Sequence, residues 1–544
     1  MPTRLPGGAS AGRFTRATLA FVVIGALAVI LALQFATTGA QLGRRPNFDE
    51  AQFAHEAWLL AHGKRIYRDF FDSHAPLFVA ALRALDPTYR LSAGTAFDLR
   101  ALFEHTRIAI VLCGTLAVAC TAGVAYRISR RASSLVIVPA VLLASHWTWL
   151  RGVEDMRVEP VALLFYWGGV LLLLASRSDA SRNDGRAAGR LGVALSLLVF
   201  VVAICPKWPL ELLLLALFAL LRLRAIARRS PRGLVWALSP PLATLALALF
   251  LTLQTCSLAD YVFFVFRFNG AVVDAFRHST TMLPLFEGET FHFCPRAFRT
   301  GWALVGTSIV VLALASPRAR RAWGDLDREA AGLVLALLVA SAFEIVFLYP
   351  FPFLWAQYYL QWSFGLAVVY ACVPAALVAL ARGVGSPPSE IGAIVGAVTI
   401  HVFVVRARLE PLAPDYDGGA TATLLARLRE GDTVWLEAEK HPVAALDASY
   451  YWEGFPDWSH GALAFAIEHP RGPLPAADET ELPICRLEQG LEPHLRFVAG
   501  GPDLLTMPTQ AQCFHRLDQA GVLARTPMPG AFEVVRRPST ERRD

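Results

Sequence analysis

Apolar stretches long enough to cross a bilayer, which takes about 20 residues, recur from position 17 to position 405, and arginines gather in every second gap between them. A chain of 544 residues with 55% hydrophobic and 17% charged residues is too apolar for a water-soluble fold of this length. The bilayer is its solvent. Spanning helices are predicted near 17–36, 106–125, 132–150, 160–175, 191–205, 209–221, 234–255, 301–315, 330–348, 359–381 and 391–405, about eleven in all. The apolar run 191–223 is too long for one span and holds Pro206 and Pro209, so it reads as a hairpin turning at Lys207.

The charge pattern gives sidedness. Arg127, Arg130 and Arg131 fill one gap; Arg177, Arg182, Arg186 and Arg190 the next but one; then come Arg224, Arg228, Arg229 and Arg232, and finally Arg318, Arg320, Arg321 and Arg328. By the positive-inside rule these gaps and the N-terminus are cytoplasmic. The segments 37–105, 151–159, 206–208, 256–300, 349–358 and everything after 405 then face outward. The first run follows Arg4, Arg13 and Arg16 but is too long for the core of a secretory signal, and reads as a retained anchor. The net charge of +6 is spent on topology rather than on an acidic partner, which argues against nucleic-acid binding. The alanine and arginine content points to a bacterial plasma membrane.

Ionisable residues concentrate on the outward side. Asp49 and Glu50 follow the first span; Glu154, Asp155, Arg157 and Glu159 crowd the short second outward link; Lys207 and Glu211 mark the hairpin; and Glu344 sits near the outer end of its helix. Charges at such depths are costly unless they face a cavity or a partner, so one polar site is expected on this face. Each has a bland reading: a solvated acid pair at Asp49 and Glu50, an interfacial ion pair at Arg157 and Glu159, a snorkelling Lys207, and a protonated, structural Glu344.

The stretch DEAQFAHEAW at 49–58 resembles the signature opening the first outer loop of the GT-C superfamily of membrane glycosyltransferases, in particular the glycosyltransferase family 39 group with its protein O-mannosyltransferases and lipid A aminoarabinose transferases. An acidic pair comes first, then Phe53 and Ala54, and then His-x-Pro-Leu at His74 to Leu77, similar to the family's His-Pro-Pro-Leu or Lys-Pro-Pro-Leu, with Ala75 in place of the first proline. Arg157 and Glu159 before the fourth helix, Lys207 at the outer end of the fifth, and YPFPFLWAQYYLQW at 349–362, which includes Tyr358, are similar as well.

The resemblance implies a GT-C helical bundle that moves a sugar, with inversion, from a polyprenyl phosphate to a hydroxyl on a lipid, glycan or protein acceptor. It implies Asp49 as catalytic base, Glu50 orienting base or acceptor, and a donor-phosphate cation among Lys207, Arg157 and His74, with Asp155 or Glu159 as the second-loop acid and Tyr358 as a further candidate. Phosphate leaves without a general acid, whereas an attacking alcohol needs a carboxylate within reach. No cofactor is required; the scheme demands no metal, although Asp49, Asp155 and Glu159 offer oxygen ligands for a divalent ion, and no Cys/His spacing suggests zinc.

Two regions are expected: a membrane part, 1–405, with its first outer loop at 37–105, and a soluble part, 406–544, forming a small α/β domain. In the latter, 421–438 reads as an amphipathic helix followed by a strand, and the aromatic-rich 441–460, with His441, Asp447 and His460, as a packed aromatic core, with sugar stacking as the alternative. Cys485 with Cys513, or Cys256 with Cys294, are possible disulfides in an oxidising compartment; Cys113, Cys120 and Cys372 fall in predicted helices. A secondary transporter is the rival reading. Transporters commonly show matching halves, and the chain has no clear internal repeat. A non-catalytic scaffold fits the acidic motif poorly.

Overall fold

The structure is a computed structural model describing residues 8–44, 46, 48–68, 74–85, 99–144, 156–176, 184–268, 300–323, 326–345, 360–381 and 387–406, with 426–429, 432–436, 450–452, 483–490, 494–499, 508–527 and 530–535 in the C-terminal region. All eleven predicted helices are present: α1 (Gly8–Leu42), α4 (Leu99–Ser129), α5 (Ser134–Ala144), α6 (Glu159–Ala175), α7 (Asp184–Ile204), α8 (Pro209–Ala227), α9 (Pro231–Thr255), α11 (Thr300–Ala315), α13 (Arg328–Phe343), α14 (Leu360–Leu380) and α15 (Pro387–Arg406). Five of them contain stretches long and apolar enough to cross a bilayer, and α5, α6, α11 and α15 are shorter apolar helices. The shorter helices α2 (Phe48–Ala61), α3 (Leu77–Leu85), α10 (Leu258–Val262) with a π turn after it (Phe263–Phe268), and α12 (Pro317–Ala322) fall between them.

Local chemistry sets many of the boundaries. Proline stands at the first residue of α8, α9, α12 and α15, where its fixed φ suits the helix and its missing N–H leaves no orphan donor. Ser257, Ser316 and Asp327 accept N–H bonds from residues three positions on and so cap α10, α12 and α13. The segment 37–105, predicted as a loop, is instead partly helical: α1 runs on to Leu42, α2 and α3 lie inside it, and α4 begins at Leu99. Neither α2 nor α3 is long enough to span, so a search for membrane-length runs passes over them.

The chain forms two compact units. The first contains 1–42, 107–248 and 289–412; the second contains 43–106, 249–288 and 413–544. The segments of the second unit largely coincide with outward segments of the charge reading.

In the first unit, α8 and α13 run antiparallel. The N–H of Leu210 meets Glu344 at one end, and Arg222 meets Glu329 at 2.5 Å at the other. Arg127 with Asp327 and Arg131 with Glu390 add ion pairs in the arginine-rich connections. Small residues allow close approach: a Cβ on Gly192 of α7 would meet the Trp236 carbonyl of α9 at 2.8 Å, and one on Gly169 of α6 would meet the Leu198 side chain of α7 at 3.0 Å.

In the C-terminal part of the second unit, β1 (Thr433–Leu436), β2 (Tyr450–Trp452), β3 (Leu495–Ala499), β4 (Leu523–Arg525) and β5 (Ala531–Val534) form a mixed sheet in the order β2-β1-β3-β5-β4. β1 is parallel to β2 and β3, while β5 is antiparallel to β3 and β4. Helices α16 (Pro483–Glu488) and α17 (Pro508–Gln519) are joined by the Cys485–Cys513 disulfide. The α/β character and the predicted strand within 421–438 are therefore observed, whereas 421–425 and most of 441–460 lie outside the described residues. Cys256 carries a free, buried thiol whose pKa burial pushes up, and Cys294 lies outside the described residues. Cys372 is buried in α14, while Cys113 and Cys120 are half-buried in α4.

Candidate functional site

Two constellations hold the candidate residues, one in each unit. In the first unit the hairpin between α7 and α8 turns over Cys205–Trp208, as the two prolines predict, with Trp208 in the left-handed region at φ 65°. Lys207 projects from this turn, and its Nζ donates to Oε1 of Glu159, the first residue of α6, at 2.5 Å. The Lys207 side chain is 20% exposed and that of Glu159 3%, so a nearly buried carboxylate holds a cation that still reaches the surface. Arg157 is half-buried two residues before Glu159.

Beneath the turn is a buried polar chain. The Tyr166 hydroxyl of α6 donates to Glu211 Oε2 at 2.6 Å, Gln361 Nε2 of α14 donates to the same oxygen at 2.7 Å, and Gln361 Oε1 accepts from the Trp167 indole at 3.1 Å. Glu344 follows α13 and is fully buried; its Oε1 accepts the backbone N–H of Leu210 at 2.5 Å and of Glu211 at 3.4 Å. Three helices besides α7 and α8 thus fix the segment that carries Lys207. Buried hydrogen-bonded networks of this kind hold one conformation because each unmade bond costs more than a made one gains.

In the second unit, Asp49 and Glu50 form the first turn of α2, where the helix dipole favours negative charge. The adjacent acids diverge. Asp49 is half-buried, whereas Glu50 is fully buried with Arg44 at 3.7 Å. The rest of α2 is buried on every side through Leu60, with Gln52 Nε2 donating to Glu56 at 2.7 Å.

His74 stands just before α3. Its carbonyl accepts from the Tyr67 hydroxyl at 3.0 Å, and its ring lies edge-on to Phe53 at 5.0 Å; Phe53 also packs on Phe78 at 5.1 Å. Tyr67 has φ 66° and stacks on Phe264 at 4.8 Å, while the N–H of Ile66 bonds to Thr255 O at 3.1 Å. The acidic motif and the His-x-Pro-Leu motif, separate in sequence, are thereby packed together through Phe53.

Asp155 and Tyr358 lie outside the described residues. No group of three or more His, Cys, Asp or Glu placed to hold a metal occurs among the described residues. Tyr166, Gln361 and Tyr67 were not singled out from sequence. For the first two the available signal was a hydrogen-bonding side chain inside an apolar span, which commonly marks an interhelical bond.

No family model and no curated protein matches the sequence. Among solved structures the chain is similar to ArnT from Cupriavidus metallidurans in the apo state, at 13% identity and TM-score 0.48, over 95% of this chain and 98% of that one. It is also similar to the Archaeoglobus fulgidus oligosaccharyltransferase, at 11% identity and TM-score 0.48, over 89% of this chain and 69% of that one. A third is the arabinosyltransferase EmbB from Mycobacterium smegmatis, at 12% identity and TM-score 0.45, where 78% of this chain covers 44% of that one. These are likenesses of backbone course.

Proposed function

We propose that this chain is an inverting glycosyltransferase of the bacterial plasma membrane, moving a sugar from a polyprenyl phosphate to an acceptor hydroxyl on the extracytoplasmic face. In this reading the N-terminus is cytoplasmic and residues 406–544 lie outside. The observation that carries it is the difference in burial at the head of α2, where Asp49 is half-buried while Glu50 is fully buried beside Arg44. Inversion at a sugar carbon is a single displacement and needs one carboxylate as base, with no second one as nucleophile.

The acceptor oxygen attacks the anomeric carbon as its proton passes to Asp49, and the bond from that carbon to the phosphate oxygen breaks. The electron pair leaves on the lipid phosphate, whose charge needs cations rather than a general acid. Lys207, already positioned by Glu159, takes that role, with Arg157 and His74 as further candidates. Glu50 acts by holding the first turn of α2 rather than by touching the acceptor. The acceptor is a lipid, glycan or protein hydroxyl.

Membrane vesicles supplied with labelled polyprenyl-phosphate sugar test this reading. Transfer of label to envelope acceptors is expected, and Asp49→Asn should lower it by about 10²-fold or more while the protein still reaches the membrane. Solute flux without transfer would replace the enzyme with a transporter. Undiminished transfer by the Asn variant would remove Asp49 from the base role.

A further inference from the structure

The first turn of α8 begins without a cap of its own. Trp208 occupies the N-cap position, and its side chain makes no capping bond. Proline at 209 has no N–H to satisfy, and the N–H of Leu212 bonds back to Trp208 O at 3.0 Å. That leaves the N–H groups of Leu210 and Glu211, and both go to one oxygen of Glu344, which lies 134 positions along the chain from Leu210. A carboxylate at a helix N-terminus normally comes from the helix's own leading residues. Here it arrives from the end of α13, and Glu344 is fully buried.

The segment capped in this way holds Lys207, three residues before the first helical N–H that Glu344 accepts. The Lys207 ammonium itself is bonded to Glu159. A free first turn of α8 would let the Cys205–Trp208 turn move, and the ammonium with it.

We infer that Glu344 is a positioning residue for the donor-binding cation: capping α8 from a neighbouring helix, it fixes the turn that presents Lys207 to the lipid phosphate. This rests on Lys207 being that cation, as proposed above. The effect depends on reach, since an acceptor oxygen must arrive at the two N–H groups, and much less on charge. Two conservative variants separate these. Glu344→Gln keeps an acceptor oxygen at the same length and loses the charge; Glu344→Asp keeps the charge and withdraws the oxygen by one methylene.

The test is equilibrium binding of a polyprenyl monophosphate to the purified full chain in detergent, with melting temperature followed in parallel. Glu344→Asp should bind roughly tenfold more weakly, the equivalent of one lost cap, and Glu344→Gln should bind as the parent does. In the Lys207→Gln background, Glu344→Asp should cause no further loss, because Glu344 acts only through Lys207. Parent-like binding by Glu344→Asp, equal weakening by Glu344→Gln, or independent losses in the double variant would each overturn the inference and leave the donor reading standing. Unchanged binding by Lys207→Gln alone would overturn the donor reading and the inference together.

Discussion

The Lys207 turn and the first turn of α2 each set a charged side chain beside a buried glutamate, yet they are built in opposite ways. At the turn, Lys207 is bonded to Glu159 itself, and the segment is tied down by Tyr166, Gln361 and Glu344 from three other helices. At α2 the buried partner, Glu50, is bound to Arg44, and Asp49 beside it stays half-buried. A group that must hold an anion gains from being fixed, because the order is imposed before the ligand arrives. A group that must take up a proton from a passing hydroxyl has to remain open to it. The difference teaches that stability and function should be inseparable at Lys207 and separable at Asp49.

The largest expected effect breaks or confirms that separation. Lys207→Met removes the ammonium bonded to the nearly buried Glu159 and should cost about 3 kcal/mol of stability as well as donor binding. Asp49→Asn should cost about 1 kcal/mol or less, the value of a charge in a helix first turn. Thermal melts of both variants in one detergent read the contrast directly. A Lys207→Met protein as stable as its parent would mean that the pair with Glu159 carries little weight in the membrane.

Much of the fold, and part of each constellation, is legible in sequence for physical reasons. A bilayer demands long apolar runs, and all eleven predicted helices form where such runs occur, five of them long and apolar enough to span. Two prolines around Lys207 announce the hairpin, because a helix cannot run through both. The acids at 49 and 50 are visible as charges directly after a span. What sequence hides is pairing. Glu159 and Lys207 are 48 positions apart, Tyr166 and Glu211 are 45 apart, and no periodicity links them. Helix α2 was hidden for another reason: at 14 residues it is shorter than a span, and its four charged or histidine side chains make it look like loop. The unequal burial of Asp49 and Glu50 was equally out of reach, since it depends on Arg44 and on the packing of α2, not on the order of the two acids.

A middle-sized effect sharpens the account of the turn. Gln361→Leu removes a donor to Glu211 and the acceptor of the Trp167 indole, both buried. Interhelical bonds in membranes are individually modest, so the loss should be about 1–2 kcal/mol in a thermal melt. Donor binding should weaken less than in Glu344→Asp, because Gln361 supports the Glu211 side chain and not the backbone N–H groups at the head of α8. The reverse ranking would place the control of the Lys207 turn in the side-chain network.

The smallest effect bears on α2. Glu50→Gln preserves shape and an acceptor oxygen toward Arg44, and at 3.7 Å the pair is too long for a strong charge-assisted hydrogen bond. Stability should fall by about 1 kcal/mol, and transfer by no more than a few fold, since in the proposed reading Glu50 steadies the first turn of α2. The two acids differ by one position in sequence, so any loss caused by general electrostatics at the head of α2 would strike both variants alike. A loss specific to Asp49→Asn isolates the carboxylate that takes the proton. If Glu50→Gln instead abolishes transfer as fully as Asp49→Asn, the two carboxylates work as one unit, and the contrast between a half-buried acid at α2 and a fixed cation at the hairpin no longer holds.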